Sequence, residues 1–309
     1  MSAPGRRRPI VAPGPRKPVN DLDGILPVDK PAGPTSHDVV AMARRALGIR
    51  RIGHTGTLDP FASGLLLLCI GPSTRLAEYL NDLPKSYSAT MRLGVTTTTD
   101  DPEGEVIRVT EGWHELDQEQ VEAALAAQQG ERLQVPPRYS AKKVAGERAY
   151  AIARGGGKVQ PEPVRVVIHQ IAMTRFDPPE VDFEVECSTG TYVRAIARDV
   201  GEDLGVGAHL TALRRTRIGP FTVDDALTPD EFPDVARVKA SLVAPAQALA
   251  HLPRHVLTPA EVRAVSHGRS LERTEDPVDG PIALVDQAGD LVAVGRCEGD
   301  RLRPSKVFR

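Results

Sequence analysis

The chain has 309 residues, of which 40% are hydrophobic and 26% charged, so a buried core is possible and global disorder is excluded. The longest apolar run, Leu65–Ile70, is far shorter than the roughly 20 residues of a membrane-spanning helix, so we expect no membrane segment. Three scattered cysteines cannot form a disulfide framework or a four-cysteine zinc site, and they favour a cytoplasmic location.

The net charge of −2 conceals an uneven distribution. Residues 1–20 carry five basic residues and no acid, and residues 132–158 carry a net charge of +6 within an otherwise acidic chain. Such patches can bind nucleic acid, because the local field matters more than the total charge. A solvated charged surface is the alternative, and charge alone leaves both open.

Residues 1–22 are predicted to form a disordered basic tail, because prolines and arginines leave few apolar side chains to bury. A mitochondrial presequence is also Arg-rich, but the prolines oppose the helix that it requires. The elements predicted next are a strand Gly24–Val28, a helix capped by Ser36 and ending at Leu47, a turn-rich loop 53–60, a buried strand Leu65–Ile70 and a short helix Thr74–Leu80.

Further along the chain, strict alternation of apolar and polar residues predicts strands at Tyr87–Leu93 and Val181–Cys187. Helical spacing predicts helices at Glu115–Gln129 and Tyr192–Leu204. Together these elements predict an α+β protein with an extended, mixed but mostly antiparallel sheet flanked by helices.

A second, small unit is predicted over residues 251–309. It contains a helix, Pro259–Ser266, and a hairpin of the strands Ile282–Asp286 and Leu291–Arg296. A unit of this size buries little apolar surface by itself, so we expect it to pack on the main body.

Motifs for phosphate loops, zinc sites and serine nucleophiles are absent from the sequence. One dense polar loop, residues 53–64, remains, and its three glycines allow backbone to approach a ligand. Taken alone, Asp59 is more simply a turn residue and His54 a structural histidine. Arg194 lies in the first turn of a predicted helix, where a cation opposes the macrodipole and needs an anionic partner. That partner is either a carboxylate or a phosphate. Alternatively, Arg194 is a surface arginine that pairs with Asp199 or Glu202.

Five segments then resemble those of the TruB family, the tRNA pseudouridine-55 synthases. The loop Gly53-His54-Thr55-Gly56-Thr57-Leu58-Asp59-Pro60 is similar to the catalytic motif of that family. The other four are Asp29-Lys30-Pro31-Ala32-Gly33, Lys85-Ser86-Tyr87, Ser188-Thr189-Gly190-Thr191-Tyr192-Val193-Arg194 and His209-Leu210-Thr211-Ala212-Leu213-Arg214-Arg215-Thr216. They occur in the family's order between about residues 23 and 220, and residues 251–309 are loosely similar to a PUA-type RNA-binding domain.

The resemblance implies a pseudouridine-synthase fold in residues 23–250, with a mobile thumb insertion at about 132–160, and a PUA-like domain in residues 251–309. It implies that the protein converts uridine 55 in the T-arm loop of tRNA to pseudouridine after flipping the base into a pocket. The glycosidic bond moves from N1 to C5 of the uracil. No cofactor or metal is needed.

The resemblance also implies roles for individual residues. Asp59 is the catalytic carboxylate, which attacks C1′ or the uracil ring or removes the 2′ proton. Arg194 pairs with Asp59 through a planar two-point contact and orients it. Tyr87 stacks on the target uracil, or alternatively fills the core. His54 occupies the space left by the flipped bases or stacks against the loop. Tyr192 packs beneath the site, and Lys30 supports the loop or a phosphate.

Basic residues elsewhere are expected to contact RNA phosphates. In the thumb these are Lys142, Lys143 and Arg148, with a helix possible at Ala145–Ala153. Some members of a second group, Arg214, Arg215 and Arg217, are expected to contact phosphate as well, with salt bridges to nearby acids such as Asp224 and Asp225 as the alternative.

The expected partner is the T-arm stem-loop of tRNA, bound by a monomer without a guide RNA. Two other classes stay open: an RNA-binding protein without chemistry, and the guide-RNA-dependent relative that modifies ribosomal RNA within a complex.

Overall fold

The structure is a computed structural model that describes residues 22–137, 143–144, 147–148, 162–272 and 278–308. Residues 1–21, nearly all of the predicted tail, lie outside the described residues. Within the described ranges no helix is both long and apolar enough to cross a membrane.

The described residues form strands and helices that are numbered here in chain order. The strands are β1 (Gly24–Lys30), β2 (Ile52–Thr55), β3 (Ser63–Ile70), β4 (Lys85–Leu93), β5 (Val95–Thr97), β6 (Val106–Val109), β7 (Gly130–Gln134), β8 (Lys143–Val144), β9 (Glu147–Arg148), β10 (Val164–Asp177), β11 (Glu180–Cys187), β12 (Ala208–Ile218), β13 (Phe221–Thr222), β14 (Arg254–Val256), β15 (Leu271–Glu272), β16 (Pro281–Val285), β17 (Leu291–Glu298) and β18 (Arg301–Val307). The α-helices are α1 (Ser36–Leu47), α2 (Ala77–Asn81), α3 (Gln118–Ala126), α4 (Val193–Asp203), α5 (Val235–Ala240), α6 (Pro245–Ala248) and α7 (Pro259–Ser266).

Most of the chain is organised around one nine-stranded sheet. Its order is β1-β3-β12-β4-β11-β10-β7, with β2 added to β3 and β13 to β12. Every pairing in it is antiparallel except that of β12 with β3, which joins Arg214 and Arg215 to Ser63 and Gly64. The predicted α+β class and mostly antiparallel sheet are therefore confirmed.

The two strands predicted from alternation are present as β4 and β11. Tyr87, Ala89, Met91 and Leu93 of β4 are all buried, as expected for one face of a half-buried strand. This face packs with β11, α3 and α4 into the largest apolar cluster of the described residues. The cluster places the N-terminal end of α4 beside β4, which positions the candidate active site.

Helix α1 has the predicted bounds but a different cap. Thr35, not Ser36, is the N-cap: its side chain accepts from the Asp38 backbone N–H, and Asp38 reciprocates in a capping box. Ser36 is wrong as the cap because its hydroxyl is used elsewhere, on the backbone of Leu58. The apolar face of α1 packs on β1 and β3 of the sheet.

Several predicted boundaries are wrong. The segment 74–80 divides into a 3₁₀ helix, Gly71–Leu76, and α2. The helix predicted at 115–129 is a 3₁₀ turn, Gly112–Glu115, followed by α3, which Asp117 caps. His54 and Thr55 lie in β2 rather than in a loop. Most of the helix considered at 145–153 lies outside the described residues, but β9 is a strand paired with β8.

The second unit contains a five-stranded sheet, ordered β14-β16-β17-β18-β15, with α7 at the predicted residues. The predicted hairpin is present as β16 and β17. The end of β18 rests on the main body: Arg75 donates to the Val307 carbonyl at 2.5 Å, and Lys306 donates to the Arg75 carbonyl at 2.9 Å. The guanidinium of Arg75 also lies 4.4 Å from the ring centre of Phe308.

Candidate active site

A cavity of about 230 Å³ opens where β12 and β3 run parallel. Four segments line it: the loop Gly56–Asp59, the start of β4 at Lys85 and Tyr87, the turn Ser188–Arg194, and Leu213 with Arg215 on β12. The close approach of β12 requires glycine at position 64, because a Cβ there would lie 2.2 Å from the Arg215 carbonyl oxygen. The same residue has φ +101°, which disfavours any side chain.

The loop that carries Asp59 is anchored on both sides of that residue. Before it, Leu58 is buried and exchanges two hydrogen bonds with the Ser36 hydroxyl, at 2.9 and 3.2 Å. After it, the Pro60 carbonyl accepts from the Gly33 N–H at 2.8 Å. A residue anchored in this way presents its side chain in one orientation, at the mouth of the cavity.

Lys30 is the internal support of this loop. It is fully buried, and its ammonium donates to the carbonyls of Pro31, Pro34 and Pro60 at 2.9, 2.8 and 3.3 Å. Burial lowers the pKa of Lys30 to about 8, because desolvation disfavours the charged form of the amine. Of the two roles expected for Lys30, the structure shows it in contact with the loop.

Arg194 joins Asp59 to a second carboxylate that the sequence motifs do not reveal. Its Nε lies 3.0 Å from Asp59 Oδ2, and its Nη1 lies 2.7 Å from Asp101 Oδ2. Nη1 also donates to the Thr99 carbonyl at 2.9 Å. The guanidinium is therefore shared between two carboxylates: Nε contacts Asp59, and Nη1 contacts Asp101 instead of Asp59. The alternative partner Asp199 is wrong, because it pairs with Arg198.

Burial dominates the electrostatics of Asp59. Desolvation raises the pKa of its carboxyl; Arg194 opposes this shift, and the nearby charge of Asp101 adds to it. The side chain is still 37% exposed on the cavity side. The result is a carboxylate that is held by a cation, is more basic than usual and is open to a ligand.

Tyr87, Arg215 and Lys85 form the inner wall of the cavity. Tyr87 is 8% exposed, and burial raises the pKa of its hydroxyl. Arg215 donates to the carbonyls of Leu65 and Gly56 at 2.7 and 2.8 Å. Lys85 donates to the carbonyls of Asn81 and Leu83 at 2.5 and 2.7 Å. Asn81 Oδ1 in turn accepts from the Gly56 N–H at 3.0 Å, so this wall also fixes the loop that carries Asp59.

The three arginines of β12 differ in their exposure: Arg217 is exposed, Arg214 is partly buried and Arg215 is buried. Arg215 is 1% exposed and is turned inward onto backbone carbonyls, so it offers no surface contact to a phosphate. Arg214 is on the outside but pairs with both carboxylate oxygens of Asp29, at 3.0 and 2.7 Å. The alternative pairings of these two residues with Asp224 or Asp225 are likewise not what the structure shows.

The remaining expected residues lie around the cavity or outside the described ranges. Tyr192 lines it and caps α4, while its backbone exchanges two hydrogen bonds with the Gln134 side chain at 2.8 and 3.1 Å. His54 is half-buried, 5.1 Å edge-to-face from His37, and burial lowers its pKa to about 4. Lys142 lies outside the described residues, and Lys143 and Arg148 are described only as backbone in β8 and β9.

Three family models together cover residues 44–309. Residues 44–193 match the TruB family pseudouridylate synthase (N terminal domain). Residues 194–264 match the tRNA pseudouridylate synthase B C-terminal domain, and residues 252–309 match the C-terminal domain of tRNA pseudouridine synthase II.

Curated relatives match over nearly the whole length. The chain is 46% identical to tRNA pseudouridine synthase B of Thermobifida fusca over 294 residues, which are 93% of this chain and 98% of that protein. It is 45% identical to the protein of the same name from Mycobacterium tuberculosis over 290 residues, 93% of this chain and 96% of that protein.

Solved structures show the same architecture. One is that of an H/ACA RNP bound to a substrate RNA containing 2′-deoxyuridine, with a TM-score of 0.72 and 25% identity over 93% of this chain and 85% of that one. Another is the archaeal box H/ACA sRNP Nop10-Cbf5 complex, with a TM-score of 0.72 and 26% identity over 93% and 86% of the two chains. Family models, sequence identity and fold agree, and the chain belongs to the TruB family of pseudouridylate synthases.

Proposed function

We propose that this protein converts uridine 55 in the T-arm loop of tRNA to pseudouridine, alone and without a guide RNA or cofactor. The observation that carries the proposal is the carboxylate of Asp59, which is held 3.0 Å from the buried Arg194 at the mouth of a cavity walled by Tyr87. The names of the curated relatives support tRNA as the substrate.

The proposed reaction is an isomerisation. The C1′–N1 bond of the nucleotide breaks, the uracil turns, and a C1′–C5 bond forms; C5 then loses its proton and N1 carries one. No electrons are gained or lost overall. Asp59 can attack C1′, attack the uracil ring or remove the 2′ proton, and its raised pKa makes it a stronger base and nucleophile in each route.

The neighbouring side chains have separate tasks in this proposal. Arg194 keeps Asp59 ionised and fixes its direction. The aromatic ring of Tyr87 offers a surface on which the flipped uracil stacks, and the cavity of about 230 Å³ receives one base rather than a folded loop. Base flipping is required because the target atoms are otherwise inside the stacked loop.

The direct experiment uses the purified protein and a T-arm hairpin labelled with tritium at C5 of its uridines. Tritium release is expected with this hairpin. No release is expected from a control hairpin in which uridine 55 is replaced by cytidine. Asp59→Asn keeps the shape of the side chain but removes the charge and the nucleophile, so we expect activity to fall by at least about 10³-fold with RNA binding retained. A variant that keeps more than about a tenth of the activity would contradict the role of Asp59. Activity that requires an added guide RNA would contradict the stand-alone form.

Four expectations from the sequence stay predictions. They are the contact of the positively charged insertion with RNA, the PUA-like nature of the C-terminal unit, the monomeric state and the cytoplasmic location. Size-exclusion chromatography with light scattering of the free protein and of its T-arm complex tests the monomeric state.

A further inference from the structure

Helix α4 carries a second arginine, Arg198, one turn after Arg194 and therefore on the same side of the helix. Arg198 is not part of the cavity wall, yet its side chain is only 19% exposed. Its Nη1 lies 3.2 Å from Asp100 Oδ2, and its Nη2 donates to the Val135 carbonyl at 2.9 Å. Nε and Nη2 also contact Asp199 Oδ1, at 3.0 and 2.8 Å.

Two consecutive aspartates thus meet two arginines on successive turns of α4. Asp100 faces Arg198, and Asp101 faces Arg194. Asp100 has φ +59°, the only positive φ of a non-glycine residue in the described part of the chain, so its backbone is held in an unfavourable conformation by its surroundings. The Leu210 N–H donates to the Asp100 carbonyl at 3.1 Å. This turn directs two adjacent side chains to two different guanidinium groups.

The charge of Asp100 depends on the same contact. Burial raises the pKa of Asp100 to about 6, and Arg198 is the first of the cations that oppose this shift. Without Arg198, the ionised form of the buried Asp100 loses a stabilising charge, which favours protonation of the carboxylate. The loop that presents Asp101 to Arg194 then loses a side-chain link to α4.

A third segment meets Arg198 on its other side. Gln134 is buried and bonds to both backbone groups of Tyr192 at the start of α4. Val135 follows it and accepts from Arg198. The residues 134–135 and the loop 99–101 are therefore both fastened to α4, and the guanidinium of Arg198 contacts both.

We propose that Arg198 is a positioning residue: by holding Asp100 and the Val135 carbonyl against α4, it fixes the loop that presents Asp101 to Arg194, and through Arg194 it fixes Asp59. The proposal rests on the proposed function of Asp59. It assigns to Arg198 no contact with RNA and no share in the chemical step.

The test compares single-turnover rates at saturating T-arm hairpin with the affinity for the same hairpin. Arg198→Met keeps the stem of the side chain and removes the guanidinium; we expect the rate to fall by about 10- to 100-fold, the range that a displacement of about 1 Å produces. The dissociation constant should stay within about twofold of wild type. Arg198→Lys should recover only part of the rate, because one ammonium cannot reach the three oxygen atoms that the guanidinium serves.

A double-mutant cycle shows whether the effect passes through Asp100. Asp100→Asn is compatible with a positive φ and removes only the charge. We expect it to lower the rate as well, and the double variant Arg198→Met with Asp100→Asn to be no slower than Arg198→Met alone. Arg175→Met is the control, since it removes a partly exposed arginine on the main sheet whose aspartate partners are Asp177 and Asp182.

The outcomes separate cleanly. An active wild type with rates of Arg198→Met and Asp100→Asn within twofold of it would overturn the positioning role while leaving the proposed function intact. A change confined to RNA affinity, or strictly additive effects in the cycle, would overturn it too. If Arg198→Met fails to fold, Asp100→Asn and Arg198→Lys decide, and an unchanged rate in both refutes the proposal. An inactive wild-type protein would instead refute the proposed function.

Discussion

The buried contact between Arg194 and Asp101 leads to a quantitative prediction about stability. Asp101 Oδ1 accepts from the Thr99 hydroxyl and from the Glu103 N–H at 3.0 Å, while Oδ2 faces Arg194 at 2.7 Å. In Asp101→Asn the single amide oxygen can serve only one of these sides. If it stays with Thr99 and Glu103, the amide NH₂ faces the guanidinium, and two donors are opposed.

The size of the effect follows from burial. The side chains of Arg194 and Asp101 are 5% and 4% exposed, so the variant leaves a cation without its full complement of acceptors in a medium that water does not screen. Removing one member of a buried pair costs about 3–5 kcal/mol, and the retained hydrogen bonds place Asp101→Asn at about 3 kcal/mol, the lower end of that range. That is a large fraction of the roughly 5–15 kcal/mol by which a typical domain is stable.

The Arg175–Asp182 pair supplies a control with the same nitrogen–oxygen distance but a different exposure to solvent. Their Nε and Oδ2 atoms are also 2.7 Å apart, yet the side chains are 48% and 28% exposed. Asp182→Asn should change the free energy of unfolding by a small fraction of the Asp101→Asn effect, because solvent screens the pair. Urea unfolding followed by circular dichroism measures both. An equal destabilisation of the two variants would refute the claim that burial sets the strength of the Arg194–Asp101 contact.

Two further predictions concern the reaction, and a third concerns RNA binding. Arg194→Lys should lose most of the single-turnover rate with the fold intact, because an ammonium is a point charge and cannot serve Asp59 and Asp101 at once; near-wild-type turnover would show that charge alone suffices. The rate should fall with decreasing pH through a pKa above the ordinary 3.8 of an aspartate, since burial raises the pKa of Asp59 and only its ionised form reacts; an acid limb at or below 3.8 in the pH–rate profile would contradict this. Replacing the basic residues of the insertion with alanine should make the plot of log affinity against log salt shallower by roughly 0.7–0.9 for each RNA phosphate that the variant no longer neutralises. Lines of equal slope in a fluorescence titration would contradict phosphate contacts by these residues. The residues to replace are Lys142, Lys143 and Arg148.

Local patterns in the sequence predict the elements whose side chains repeat regularly. The alternation in β4 and the helical spacing of α1 identify these elements because each pattern depends only on neighbours in the chain. Strand β12 escapes such a search. Its pairing with β4 shifts register between Leu210 and Ala212 and again between Arg215 and Arg217, so the inward-facing positions change phase twice. A test for strict alternation cannot detect a strand with two bulges.

The resemblance to the TruB family predicts the Arg194–Asp59 pair, whereas no sequence signal points to Asp101. The position of Arg194 in the first turn of a helix predicts only that it needs an anion, and by itself it leaves Asp199 and Glu202 open as partners. Asp101 lies 93 residues before Arg194 in a turn whose acids look like ordinary solvent-exposed turn residues. Only the fold, which brings the turn after β5 next to β12 and α4, shows that one guanidinium contacts two carboxylates.

Arg214 and Arg215 show how secondary structure changes the meaning of a charge cluster. As a run of basic residues they suggest a joint contact with phosphate. As consecutive residues of a strand they must point to opposite faces of the sheet. Arg214 reaches Asp29 on one side, and Arg215 passes beneath the loop to Gly56 on the other. Arg214 is therefore partly exposed at the surface, whereas Arg215 supports the wall of the cavity. A substitution at Arg215 will act through the shape of the loop that carries Asp59 rather than through the attraction of RNA.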